Sequence, residues 1–171
     1  RASCRVRATD RLGNVLLESP EGGGGVSKDG EARAVRWAAA PGERYYGFGE
    51  KTGGLDKHGR KLVFYNTDAY DAAFGGYPPD ADPLYASIPF FVGLRGGAAY
   101  GVFVDNTHRT TFDMAAGDAG EWSVSAAGGT MDEYLFAGPS MAAVVERYTR
   151  LVGRIPLPPR WSLGFHQSRW G

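Results

Sequence analysis

From Lys61 onward the chain alternates short runs of β-branched and aromatic residues with turn-forming residues, and this rhythm constrains the fold more than any other feature. KLVFYNT, IPFFVGL, AAYGVFVDN, RTTFDM, EWSVS and MDEYLFAG each have the length and composition of a strand, with turn signals between them. Such a series predicts an antiparallel β-sandwich. Arg95-Gly96-Gly97 reads as a hairpin connection. In EWSVS, Trp122 and Val124 point to one face while Glu121, Ser123 and Ser125 point to the other, so one face meets core and one meets water. AAYGVFV is apolar throughout and is expected to be buried on both faces. Pro89 cannot donate to a ladder, which places it at a strand end or on an edge.

Residues 1–40 read as short, poorly patterned strands around turns at Asp10 to Gly13, Gly22 to Gly25 and Lys28 to Gly30, with the tandem glycines forming a mobile loop. One helix is predicted. Ser140 is its N-cap, Met141, Val144, Val145, Tyr148, Leu151 and Val152 recur at helical spacing, and Gly153 closes the pattern. Pro156-Leu157-Pro158-Pro159 then forms a stiff, extended linker. WSLGFHQSRWG follows as an apolar, strand-like segment. The expected division is a sandwich over residues 1–155, a linker over 156–160, and the first strand of a truncated further domain over 161–171.

Charge and cysteine content narrow the function. Nineteen basic residues balance 19 acidic ones, leaving no long-range field to gather nucleic acid or anionic lipid, so neither nucleic acid nor membrane is an expected partner. Apolar runs also fall far short of the roughly 20 residues of a membrane helix. The lone cysteine, Cys4, forms no intrachain disulfide and no multi-cysteine zinc site, and leaves the compartment open. No Gly-x-Ser-x-Gly elbow or Walker loop occurs, and His58, His108 and His166 show no metal-ligand spacing. Neither cofactor nor metal is expected.

The stretch from Asn66 to Ser87, NTDAYDAAFGGYPPDADPLYAS, interrupts the strand series for longer than compact domains usually allow. Asp68, Asp71, Asp80 and Asp82 share it with Tyr70, Phe74, Tyr77 and Tyr85. Carboxylates accept hydrogen bonds from fixed hydroxyls and flat rings cover the C–H face of a sugar, so the mixture suits a carbohydrate site. Paired carboxylates also serve glycoside hydrolysis. Asp80 and Asp82, beside Pro, equally fit turn formers. Asp68 follows KLVFYNT directly, where the sheet would hold it facing outward; an Asx turn ending the strand is the competing reading.

RYYGFGEK, YNTDAY, DPLYASIPF, YGVFVDN, YLFAGPS and PLPPRWSLGFHQSRWG, in this order over about residues 44–171, together resemble the N-terminal region of glycoside hydrolase family 31. The resemblance implies a galactose-mutarotase-like β-sandwich leading into a (β/α) barrel, with Trp161 to Gly171 as the first barrel strand. It implies a retaining α-glycosidase, most often an α-glucosidase, acting on α-glucosides. Its catalytic Asp pair would lie downstream in the barrel, so no catalytic residue is expected in this stretch. By motif match Asp68 falls on a substrate-binding Asp of the family. Ala69 stands where some members have Thr. Other readings are a non-catalytic carbohydrate-binding module that braces its own barrel, or α-xylosidase or sulfoquinovosidase specificity.

Overall fold

A computed structural model of the chain describes residues 5–21, 25–118 and 120–168. Cys4, most of the run Gly22 to Gly25 with the mobility expected of it, and the last three residues lie outside them. Among the described residues the strands are β1 (Arg7–Thr9), β2 (Val15–Glu18), β3 (Val26–Asp29), β4 (Ala32–Ala38), β5 (Arg44–Gly49), β6 (Arg60–Phe64), β7 (Ser87–Arg95), β8 (Ala98–Asp105), β9 (Thr110–Met114), β10 (Glu121–Ala126) and β11 (Asp132–Gly138). Helix α1 (Met141–Val152) follows. β1 and β2 form a small sheet; β3-β4-β10-β9-β6 and β11-β8-β7-β5 form the two large ones. Every pairing within them is antiparallel.

The two large sheets bury aromatic residues between them. Phe91 stacks on Phe48 at 5.0 Å and meets Trp122 of the opposite sheet edge-on at 5.2 Å, both favourable ring geometries. β10 alternates as its sequence predicts, with Trp122, Val124 and Ala126 buried. β8 is buried on both faces: Tyr100, Val102 and Val104 enter the main core, while Ala99 and Phe103 join a second cluster with Phe90, Val92 and Val144. Gly96 and Gly97 have φ of 56° and 85°, as the primed two-residue turn of a β7–β8 hairpin requires.

Helix α1 packs on the outer face of the four-stranded sheet. The Ser140 Oγ accepts a hydrogen bond from the Ala143 amide at 3.2 Å, so the predicted cap forms. Tyr148 lies parallel to Phe90 with ring centroids 3.8 Å apart. Gly101 makes this approach possible, because a Cβ there would stand 2.6 Å from Val144 Cγ1. The sheet covers only part of the helix's apolar stripe. Val145, Leu151 and Val152 remain exposed, and beyond them so do Ile155 (90%), Leu157 (94%), Trp161, Leu163 and Phe165 (92%).

The structure defines where three of the predicted segments begin or end. Pro89 stands near the start of β7, one of the two positions expected for it, although β7 is an inner strand of its sheet and not an edge. Its missing N–H is tolerated because pairing with β8 begins only at Phe90 and β5 is bulged between Gly47 and Gly49, where Phe48 takes a φ of 72°. β6 ends at Phe64, so Asp68 does not follow a strand directly. Residues 160–163 form one turn of 3-10 helix, and no strand forms over 161–168, the described part of the expected barrel strand. Among the described residues no helix is long and apolar enough to cross a membrane.

Candidate functional site

The long loop between β6 and β7 is pinned at its base. Lys51, just past β5, has a side chain only 1% exposed, and its ammonium bonds Asp82 Oδ1 at 2.5 Å and the Val63 carbonyl while lying 4.3 Å from the Phe64 ring centroid. Asp82 Oδ2 in turn accepts from the Val63 amide at 2.7 Å. Such a pair is tolerated in a dry place only because each charge has further polar partners. Thr67 N donates to Leu84 O at 3.1 Å and Ser87 N to Asn66 Oδ1 at 3.0 Å, closing the two arms on each other. Asp82 is therefore a structural anchor, and Lys51 is the partner that sequence reasoning missed.

Asp71 is likewise spent on the backbone. Its Oδ1 accepts from Ala73 N at 2.8 Å, and an isolated antiparallel bridge joins Asp71 to Gly76. This folds the loop tip into a compact turn. Asp80 is exposed at the next turn.

Asp68 sits where the arms meet, exposed to solvent. Oδ1 accepts from the Tyr70 amide at 3.0 Å, an Asx turn, and also from the Tyr85 hydroxyl across the loop. The Tyr77 hydroxyl lies 2.6 Å from that of Tyr85. Tyr70, Tyr77 and Tyr85 meet edge to face, with successive centroids 6.0 and 6.1 Å apart. The Tyr85 hydroxyl first, and then the Tyr70 amide, hold the Asp68 carboxyl below the usual carboxylate range. The same contact pushes the Tyr85 phenol up. The sequence reading assigned these aromatics a stacking role; the Tyr85 hydroxyl proves to be bonded to Asp68, and the Tyr77 hydroxyl to that of Tyr85. Only the spacing of Asp68, Tyr77 and Tyr85 within one closed loop hinted at it.

An open depression of about 520 Å3 adjoins the loop base, lined in part by Tyr65, Asn66, Ser87, Pro89, Asp105 and His108. Asn106, at the end of YGVFVDN, is committed to the fold, since its Nδ2 donates to the Gly128 and Thr130 carbonyls at 2.9 and 2.6 Å. His58 stacks on Tyr45, and His166 contacts the Ser162 carbonyl oxygen. Among the described residues no group of three or more His, Cys, Asp or Glu could hold a metal ion.

What the loop can do chemically is present an ionised, oriented carboxylate beside exposed aromatic rings, which is a hydroxyl-binding arrangement with no nucleophile–base pair.

Comparison with known proteins bears on the family and the fold. The sequence profile described as "Glycosyl hydrolase 31 N-terminal galactose mutarotase-like domain" matches residues 4–113. Alpha-glucosidase 2 of Bacillus thermoamyloliquefaciens is 45% identical over 166 residues, 97% of this chain but 20% of that protein. Alpha-xylosidase XylQ of Lactiplantibacillus pentosus is 34% identical over 122 residues, 71% of this chain and 15% of that protein. Among solved structures, a Flavobacterium johnsoniae GH31 dextranase complexed with glucose superposes with a TM-score of 0.84 at 30% identity, over 94% of this chain and 19% of that one. The chain thus spans a fifth or less of the length of these relatives.

Proposed function

This chain belongs to glycoside hydrolase family 31 through its N-terminal galactose mutarotase-like domain, and from that membership we propose that it is the leading sandwich of a retaining α-glycosidase acting on α-glucosides. In this reading the intact protein cleaves a terminal α-glucosidic bond through a glycosyl-enzyme intermediate. One carboxyl group attacks the anomeric carbon while a second protonates the leaving oxygen and later activates water. Both belong to a barrel after the linker. The sandwich supplies Asp68, which accepts hydrogen bonds from the sugar's hydroxyls.

The observation that carries this reading is the state of Asp68. It is exposed, ionised, and fixed by two donors at the junction of a pinned loop. A carboxylate so held binds a hydroxyl without first losing much rotational freedom. The uncovered apolar residues from Val145 to Phe165 support the second half of the proposal, that residues 161–171 open the barrel and that the barrel covers this face. A barrel strand finds its hydrogen-bond partners in other barrel strands, which accounts for the absence of pairing over 161–168.

Asp68→Ala in the intact protein tests the assignment. A lost hydrogen bond to a charged group is worth about 1.5–3 kcal/mol, so kcat/KM on a maltose-like substrate should fall about 10- to 100-fold. An unchanged kcat/KM would remove Asp68 from the site. The 171-residue chain alone should not hydrolyse an aryl α-glucoside. The likeness to the α-xylosidase XylQ supports α-xyloside specificity as a second reading, and the ratio of kcat/KM on paired aryl α-glucoside and α-xyloside separates the two.

A further inference from the structure

An ionised carboxylate only accepts hydrogen bonds. The one proton of the Tyr85 hydroxyl must therefore point at Asp68 Oδ1, and the Tyr85 oxygen accepts in turn from the Tyr77 hydroxyl 2.6 Å away. The proton order is fixed along the row: Tyr77 donates to Tyr85, and Tyr85 donates to Asp68. Tyr70 N donates to the same Oδ1 at 3.0 Å. Oδ2 has no partner among the described residues. The two donors come from opposite arms of the loop, so together they fix both torsions of a side chain that would otherwise rotate freely in solvent.

On the reading that Asp68 binds sugar, we infer that Tyr85, braced by Tyr77, is the positioning residue of that carboxylate, occupying Oδ1 and leaving Oδ2 as the one oxygen offered to a substrate hydroxyl. A single acceptor of fixed direction discriminates hydroxyl configuration. A sugar epimeric at the contacted carbon turns its hydroxyl away and leaves a desolvated carboxylate oxygen unpaired, the kind of mismatch that separates closely related substrates strongly. Tyr85 itself touches no sugar in this arrangement; it acts through Asp68.

The test uses the intact protein and the aryl α-glycoside it turns over fastest. Tyr85→Phe keeps the ring and removes only the hydroxyl. It should raise KM about tenfold while kcat changes less than about twofold, because orientation of a binding group is lost and the reacting carboxyls are untouched. Tyr77→Phe should shift KM in the same direction by a smaller factor. Adding Tyr85→Phe to Asp68→Asn should change KM by less than about twofold, since the two residues act as one unit. A full-sized effect of Tyr85→Phe in the Asp68→Asn background overturns the inference. So does an unchanged KM in Tyr85→Phe when Asp68→Asn alone weakens binding; the sugar-binding role of Asp68 then survives. A silent Asp68→Asn sinks both. If Tyr85→Phe lowers the melting temperature, Tyr77→Phe carries the same test one hydrogen bond further out.

Discussion

At the scale of single residues, burial decides which charges matter for stability. Lys51 and Asp82 form a nearly dry pair, whereas Lys61 and Asp113, 3.3 Å apart, leave the lysine 63% exposed. Lys51→Met should cost about 3–5 kcal/mol, because Asp82 is left buried without its counter-ion. Lys61→Ala should cost less than about 1 kcal/mol. Urea unfolding of both variants checks the contrast. Glu133 behaves oppositely. Burial pushes its carboxyl up to about 7 from an ordinary value of 4.5, and a 3.4 Å bond from the Trp37 indole offsets this only in part. The folded state thus prefers the protonated acid. Its contribution is fully present below pH 4.5 and is lost as pH rises through 7. Glu133→Gln should match the parent at pH 4 and exceed it by a few kcal/mol at pH 8, at about 1.4 kcal/mol for each unit of displacement. Urea midpoints across that range, showing a smaller slope in the variant, check the sign.

At the scale of elements, close approaches of backbone set what each segment tolerates. Gly101 on β8 lies under α1, and a methyl there meets Val144 Cγ1 and the Phe90 ring at under 3 Å. Gly101→Ala should therefore lose about 1–3 kcal/mol by overpacking. Truncating the helix side with Val144→Ala should recover part of that loss, which a double-mutant cycle in thermal unfolding measures. The strands from β6 to β11 and the helix were legible because their periodicity and caps are local properties. The inner place of the strand that carries Pro89 was not, since it depends on the bulge at Phe48 in a neighbouring strand. β4 hid for a related reason: ARAVRWA scatters arginines along a strand whose Val35 and Trp37 alone face the core. In the loop, Asp68 could be singled out from its motif, but its dependence on Tyr85 could not. The direction of a phenol hydroxyl follows from how the two arms close, and Lys51, distant in sequence, fixes that closure.

At the scale of the whole molecule, the two large sheets cover each other's apolar faces, while apolar residues from α1 onward lie uncovered. Val145, Leu151 and Val152 continue into Ile155, Leu157, Trp161, Leu163 and Phe165, and the apolar side chains of this band lie open to solvent. So many uncovered apolar side chains within one stretch of chain are what an interaction face requires. The proposed barrel is the occupant that also explains the stiff linker, since three prolines hold the segment extended in place of letting it fold back on the sheet. Thiol accessibility tests this directly. With Cys4 replaced by Ser, Phe165→Cys or Leu157→Cys should react with a maleimide at the rate of a free thiol in the 171-residue chain. In the intact protein the same cysteines should react at least about tenfold more slowly, because reaction then requires local opening of the interface. Equal rates in both would mean that the band stays exposed, and that whatever brings Asp68 to a sugar does not dock through this face.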